Sequence, residues 1–112
     1  MFCFDLDNVL CKTIKSNYEN SKPIKKNIKI VNELFHKGHI IKIFTARYMY
    51  RNKDNINKAK KEGFEKTKLQ LKKWNVNYNK LIFGKPSFDL YIDDKSLFYA
   101  ENWSKEIKRK FL

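Results

Sequence analysis

Met1-Phe2-Cys3-Phe4-Asp5-Leu6-Asp7-Asn8-Val9-Leu10 opens the chain with a short apolar run that ends on two carboxylates two residues apart. The pattern returns near the other end as Leu90-Tyr91-Ile92-Asp93-Asp94, and four of the chain's six Asp stand in these two places. A desolvated carboxylate costs several kcal/mol unless it is paired or binds a metal. Four such acids at two strand ends, in a chain of net charge +13, therefore point to a bound cation.

Between these acids the hydrophobic spacing alternates between two periods. Residues 2–6 read as a buried strand, with Cys3 as part of the core. Residues 10–25 carry Lys, Ser, Asn and Pro23 with little periodicity and read as a turn or flap. From Ile24 to Lys37, Ile24, Ile28, Val31, Leu34 and Phe35 recur at three and four, which predicts an amphipathic helix ended by Gly38. His39 to Phe44 is a second strand, left through Thr45-Ala46-Arg47. Residues 48–62 read as a loop and a short helix broken near Gly63, and Glu65 to Trp74 as a further helix. Leu81 to Phe83 is a third strand, ended by Gly84-Lys85-Pro86, and Asp89 to Ile92 a fourth. A short helix is read from Lys95, and Trp103, Ile107 and Phe111 mark a last, basic one. Strands alternating with helices imply right-handed crossovers and a mainly parallel sheet. Ligands of such sheets gather at the strands' carboxyl ends. There the chain places Asp5, Thr45, Lys85, Asp93 and Asp94.

Composition narrows the class. A chain of 112 residues, 42% hydrophobic and 15% aromatic, has room for one core and is not a wholly disordered chain. Of its 25 basic residues only Arg47, Arg51 and Arg109 are Arg, so 22 are Lys. A net charge of +13 is what a partner of nucleic acid would call for. A Lys/Asn/Ile bias is also what a low-GC genome yields, and dedicated phosphate or base readers favour Arg, so the compositional reading is preferred. Cys3 and Cys11 show no metal-type spacing, and neither has an Arg six residues on, which argues against a cysteine nucleophile. No run approaches 18 apolar residues and no signal peptide is evident, so no membrane span and a cytoplasmic location are expected.

Phe4-Asp5-Leu6-Asp7-Asn8-Val9, Phe44-Thr45, Gly84-Lys85-Pro86 and Ile92-Asp93-Asp94 together resemble the four ordered motifs of the haloacid dehalogenase (HAD) superfamily. The resemblance runs from residue 2 to about 95. The longer strings Thr45-Ala46-Arg47 and Gly84-Lys85-Pro86-x-x-Asp89-x-x-Ile92-Asp93-Asp94 are similar to small phosphatases of capsule and surface-polysaccharide loci that lack a cap domain. It implies one HAD-like phosphatase domain over 1–112, with a Rossmann-like three-layer α/β sandwich and a mainly parallel sheet of about four strands in the order 3-2-1-4. Only 37 residues separate Asp7 from Thr45 and 39 separate Thr45 from Lys85, which leaves no room for a cap. The open site would admit a large substrate, or a neighbouring subunit of a homo-oligomer would act as its lid.

The resemblance also implies roles. Asp5 is the nucleophile of an aspartyl-phosphate mechanism, and Asp7 the acid that protonates the leaving oxygen and then activates water. Asp5, the backbone carbonyl of Asp7, and Asp93 or Asp94 would hold Mg²⁺, an ion suited to oxygen ligands. Thr45 and the Ala46 N–H would bind the transferring phosphoryl, and Lys85 would neutralise it. Arg47 is read as binding the non-reacting part of the substrate, with a surface role as its rival. Asn8 stands where many members have Gly, which bears on the leaving-group environment. His36 and His39 are read as structural. The expected activity is a Mg²⁺-dependent phosphomonoesterase on a small phosphorylated metabolite such as a sugar phosphate. The alternatives are a phosphatase of nucleic-acid 3′ ends and a non-catalytic binding domain that keeps the fold.

Overall fold

The central sheet forms because short β-branched and aromatic runs are long enough to pair and too short for a helix. β1 (Phe2–Phe4), β4 (Ile41–Thr45) and β5 (Lys80–Phe83) lie side by side in that order, all parallel. Phe2 is level with Ile41 and Phe4 with Ile43, while Ile43 is level with Leu81 and Thr45 with Phe83. A computed structural model describes residues 1–97 and 99–112. The expected flap, residues 10–25, is a small antiparallel pair, β2 (Cys11–Lys12) and β3 (Lys22–Pro23), carrying a 3₁₀ turn at Tyr18–Asn20. The Cα radius of gyration, 13.8 Å, matches the ~13 Å of one compact domain of this size.

The helices are α1 (Lys25–His36), α2 (Ile56–Lys73) and α3 (Trp103–Phe111). Ile28, Ile30, Val31 and Leu34 form the buried stripe of α1. Phe4, Ile41, Ile43, Thr45, Leu81 and Phe83 are buried and point to one face of the sheet. That face receives α3 through Phe4–Trp103 and Phe2–Phe111, with ring centroids 5.6 and 5.0 Å apart, and α2 through Phe83–Phe64 at 5.4 Å. α1 packs against α3 and β4. The helices therefore share one side, because successive crossovers moving the same way across a parallel sheet fall on the same face. On the other face Cys3 and Lys80 are exposed and Lys42, Phe44 and Ile82 only half-buried.

Five expectations change. The layering is helix on sheet rather than a three-layer sandwich, and Cys3 is exposed rather than core. The strand order 3-2-1 is found, but residues 89–92 form no strand, so the described sheet has three strands. Leu90 and Ile92, which made that segment read as a strand, are exposed, and no helix starts at Lys95. α2 runs unbroken through Gly63, because that glycine leaves space for a neighbouring ring: a Cβ there would overlap the edge of Tyr48. Among the described residues no cap is present, and no helix is long and apolar enough to cross a membrane.

Candidate functional site

The carboxyl ends of β1, β4 and β5 form one rim. After Phe4 the chain leaves the sheet and coils around the Leu6 carbonyl, which accepts N–H bonds from Val9, Leu10 and Cys11. This coil holds Asp5 and Asp7 beside each other at the strand end. Asn8 takes φ +65°, a left-handed conformation open to Asn and Gly and to few other residues. Its side-chain oxygen accepts the Thr13 N–H at 3.2 Å and its carbonyl accepts the Tyr99 hydroxyl at 2.6 Å, so Asn8 acts through the turn.

Asp5 and Lys85 meet. Gly84, at φ +104°, turns the chain back after β5, and the Lys85 N–H donates to the Thr45 carbonyl at 3.3 Å. Lys85 Nζ then lies 3.5 Å from Asp5 Oδ2, with the lysine side chain 11% exposed and the aspartate 40%. The ammonium also sits over the rings of Tyr91 and Phe88, 5.0 and 5.5 Å from their centroids. The other carboxylate oxygen of Asp5 accepts the Leu6 N–H at 2.8 Å. Burial pushes the Asp5 carboxyl above its ordinary value; Lys85 and the Leu6 N–H pull it down and Asp7 adds to the rise. The result is a partly exposed carboxylate next to a lysine that has almost no other access to water.

Asp7 meets Arg47. Arg47, read as meeting the substrate or lying at the surface, is buried at 2% exposure and forks onto Asp7: Nε donates to Oδ2 at 3.0 Å and Nη2 to Oδ1 at 2.9 Å. Nη1 donates to Gln70 Oε1 at 2.6 Å, and Thr67, Ser21 and Cys11 stand around the remaining N–H groups at 3.4–3.7 Å. The Thr13 hydroxyl donates to Asp7 Oδ1 at 2.6 Å. Thr45 is fully buried, and its hydroxyl accepts the Arg47 N–H at 3.1 Å. Ala46 is half-buried, and its carbonyl closes a four-residue turn by accepting the Met49 N–H.

The third residue of that turn, Tyr48, has φ +66°, a costly conformation for a bulky residue. Its ring is held between Gly63, Tyr18 (4.8 Å) and the Arg51 guanidinium (4.9 Å), and this packing offsets the strain. Burial holds the Cys11 thiol above its ordinary value, in keeping with a structural cysteine.

The late acids do not join this rim. Asp93 and Asp94 are exposed on the irregular segment that replaces the fourth strand. The Asp93 carboxylate accepts the Lys95 N–H at 2.9 Å and the Tyr91 hydroxyl at 3.3 Å. Among the described residues no group of three or more His, Cys, Asp or Glu is placed to hold a metal ion. Mg²⁺ takes one or two carboxylates together with water and phosphate oxygens. Asp5 supplies one carboxylate of that set, with Oδ2 facing the Lys85 ammonium, and the Asp7 carboxylate is taken up by Arg47. His36 and His39 are structural as read: His36 bonds Asn77 at 3.2 Å and His39 lies edge-on to Phe2 at 5.1 Å.

Sequence reasoning missed the surroundings of Arg47. A cleft of about 280 Å³ runs between the flap and α2, lined by Tyr18, Ser21, Arg47, Lys66, Gln70 and Trp74 among others. Thr13, Tyr18 and Ser21 come from the flap and Gln70 from α2, and no spacing in the chain announces that they converge.

Fold and rim together define a single-domain α/β protein with an acid–lysine pair at the carboxyl edge of a parallel sheet. It is similar in fold to a crystallographic target protein from Vibrio cholerae, with a TM-score of 0.80 and 26% identity over 97% of this chain and 96% of that one. No family model matches the chain, and no curated protein matches it.

Proposed function

We propose that the protein is a phosphomonoesterase of the haloacid dehalogenase type acting on a small phosphorylated metabolite such as a sugar phosphate. The observation that supports this most is the partly exposed Asp5 carboxylate 3.5 Å from the Lys85 ammonium at the sheet rim. A carboxylate so placed attacks phosphorus as the ester oxygen leaves, giving an aspartyl phosphate and an alcohol; the alcohol's proton comes from Asp7, which must first take one up from solvent because Arg47 and Thr13 donate to both of its oxygens in this geometry. Water then attacks the same phosphorus, losing a proton to Asp7, and frees phosphate and Asp5. Lys85 balances charge gathered on the phosphoryl oxygens. Mg²⁺ belongs to this reading through the sequence resemblance, not through the donor set described above, and no step is assigned to it.

Purified protein is expected to hydrolyse a generic aryl phosphate and then, in a panel, sugar phosphates. Asp5→Asn is expected to abolish turnover, and sustained turnover by that variant would remove Asp5 as nucleophile. Chelator is expected to stop the reaction and Mg²⁺ to restore it; chelator-insensitive hydrolysis would remove the ion and leave Asp5 in place. A second reading, a phosphatase of nucleic-acid ends, draws on the net charge of +13 and on Lys66 and Lys73 lining the cleft beside Arg47. It requires activity on 3′-phosphorylated oligonucleotide that falls steeply with salt.

A further inference from the structure

We infer that Arg47 is a positioning residue that fixes the carboxylate of Asp7 and ties it to the flap through Gln70. A guanidinium forked onto a carboxylate sets both the distance and the plane of the acid, which a single hydrogen bond does not. Arg47 does this from a buried position, with Nε and Nη2 on Asp7 and Nη1 on Gln70. Gln70 passes the contact on: its Nε2 donates to the Tyr18 carbonyl at 2.9 Å, and the Tyr18 ring lies 5.1 Å from the Arg47 guanidinium carbon. From the flap side, Ser21 Oγ and Thr13 Oγ1 are 2.6 Å apart, and Thr13 donates to the same oxygen of Asp7 that Arg47 Nη2 contacts.

Asp7 is thus gripped from two sides, by α2 through Gln70 and Arg47 and by the flap through Ser21 and Thr13. Residues 13, 18 and 21 belong to the flap, so its placement and the orientation of Asp7 are mechanically joined. The guanidinium spends its N–H groups on Asp7 and Gln70, which separates this role from the one read in the sequence. The kinetic half of the inference rests on the phosphatase reading; the structural half does not.

Two measurements test it. The first is the side-chain Nε–H resonance of Arg47 in ¹⁵N-labelled protein. It is expected to exchange slowly with water, to shift in Asp7→Asn and to broaden or vanish in Gln70→Ala. A resonance that exchanges freely, or that ignores Asp7→Asn, overturns the inference even if the protein proves not to be a phosphatase. The second measurement compares an alkyl phosphate, whose leaving oxygen needs a proton, with p-nitrophenyl phosphate, whose leaving group needs little help.

Arg47→Lys is expected to lower kcat/KM on the alkyl ester by about 10²-fold, the scale of general acid catalysis, while kcat/KM on p-nitrophenyl phosphate changes much less; kcat/KM is compared because the later water step, which also uses Asp7, is common to both esters. Gln70→Ala is expected to shift the ratio the same way by a smaller factor, and it covers the case in which Arg47→Lys fails to fold. Equal losses of kcat/KM on both esters would assign Arg47 to general stability or to substrate binding and end the positioning role. Should the wild type hydrolyse no phosphate ester, the phosphatase reading fails and the resonance alone decides whether Arg47 sets Asp7.

Discussion

Replacing Arg47 with Met removes the guanidinium and keeps most of the side chain's apolar length. Lost with it are the fork onto Asp7 at 2.9–3.1 Å and the 2.6 Å bond to Gln70. Removing one partner of a buried ion pair costs roughly 3–5 kcal/mol, because the other charge stays desolvated. Asp7 is 20% exposed and keeps its Thr13 bond, so the lower end applies, about 3 kcal/mol. In a domain of this size that corresponds to a fall in Tm of roughly 12 °C. Asp7→Asn, which strands the buried guanidinium, should cost a similar amount. The double variant should be no worse than the poorer single variant, giving a coupling energy of about 3 kcal/mol or more. Urea denaturation of the four proteins at one pH measures all three quantities. Single losses that simply add, within about 0.5 kcal/mol, would mean that the two groups do not act on each other.

The other predictions concern packing, titration and thiol access. Gly63→Ala should destabilise the protein although Ala favours helix by about 1 kcal/mol, because the new Cβ overlaps the buried Tyr48 ring and overpacking costs about 1–3 kcal/mol; a thermal melt higher than wild type would contradict this. Asp5→Asn should have a definite pH signature. The folded state raises the Asp5 pKa, so the stability it contributes is present below the unfolded value and lost as pH rises through the folded one. The Tm of the variant relative to wild type should therefore rise as pH rises through the carboxylate range, and a relative fall over that range would reverse the sign. A thiol reagent should label Cys3 rapidly in the folded protein and Cys11 only on unfolding, since Cys3 is exposed and Cys11 buried; rapid labelling of both would contradict the burial of Cys11.

What the sequence made legible was local. The period of α1 and the three strands, read as 2–6, 39–44 and 81–83, follow from residue spacing, and their order 3-2-1 is implied by the family resemblance. The meeting of Asp5 with Lys85 was legible as well, since strand ends of a parallel sheet share one rim. The three layers come from the resemblance, whereas the helices take one side. Spacing could not separate Leu90-Tyr91-Ile92 as a paired strand from the same residues lying exposed, because the alternation is identical and only a partner edge decides. Gly63 read as a helix break for the same reason: its cause, the Tyr48 ring, lies fifteen residues earlier in the sequence. Arg47 was the largest miss. Its partners span residues 7 to 70, and an arginine's sequence neighbourhood carries no sign of whether it faces a ligand or a buried acid.

The central claim is that Asp5 takes up the phosphoryl group. Acid-quenching the protein during turnover of a phosphate ester, then mapping peptides by mass spectrometry, measures this directly. The account predicts one phosphoryl group on the N-terminal peptide, at Asp5 and not at Asp7, and none in Asp5→Asn. A phosphoryl group on another residue, or undiminished turnover by Asp5→Asn with no label at all, would contradict it.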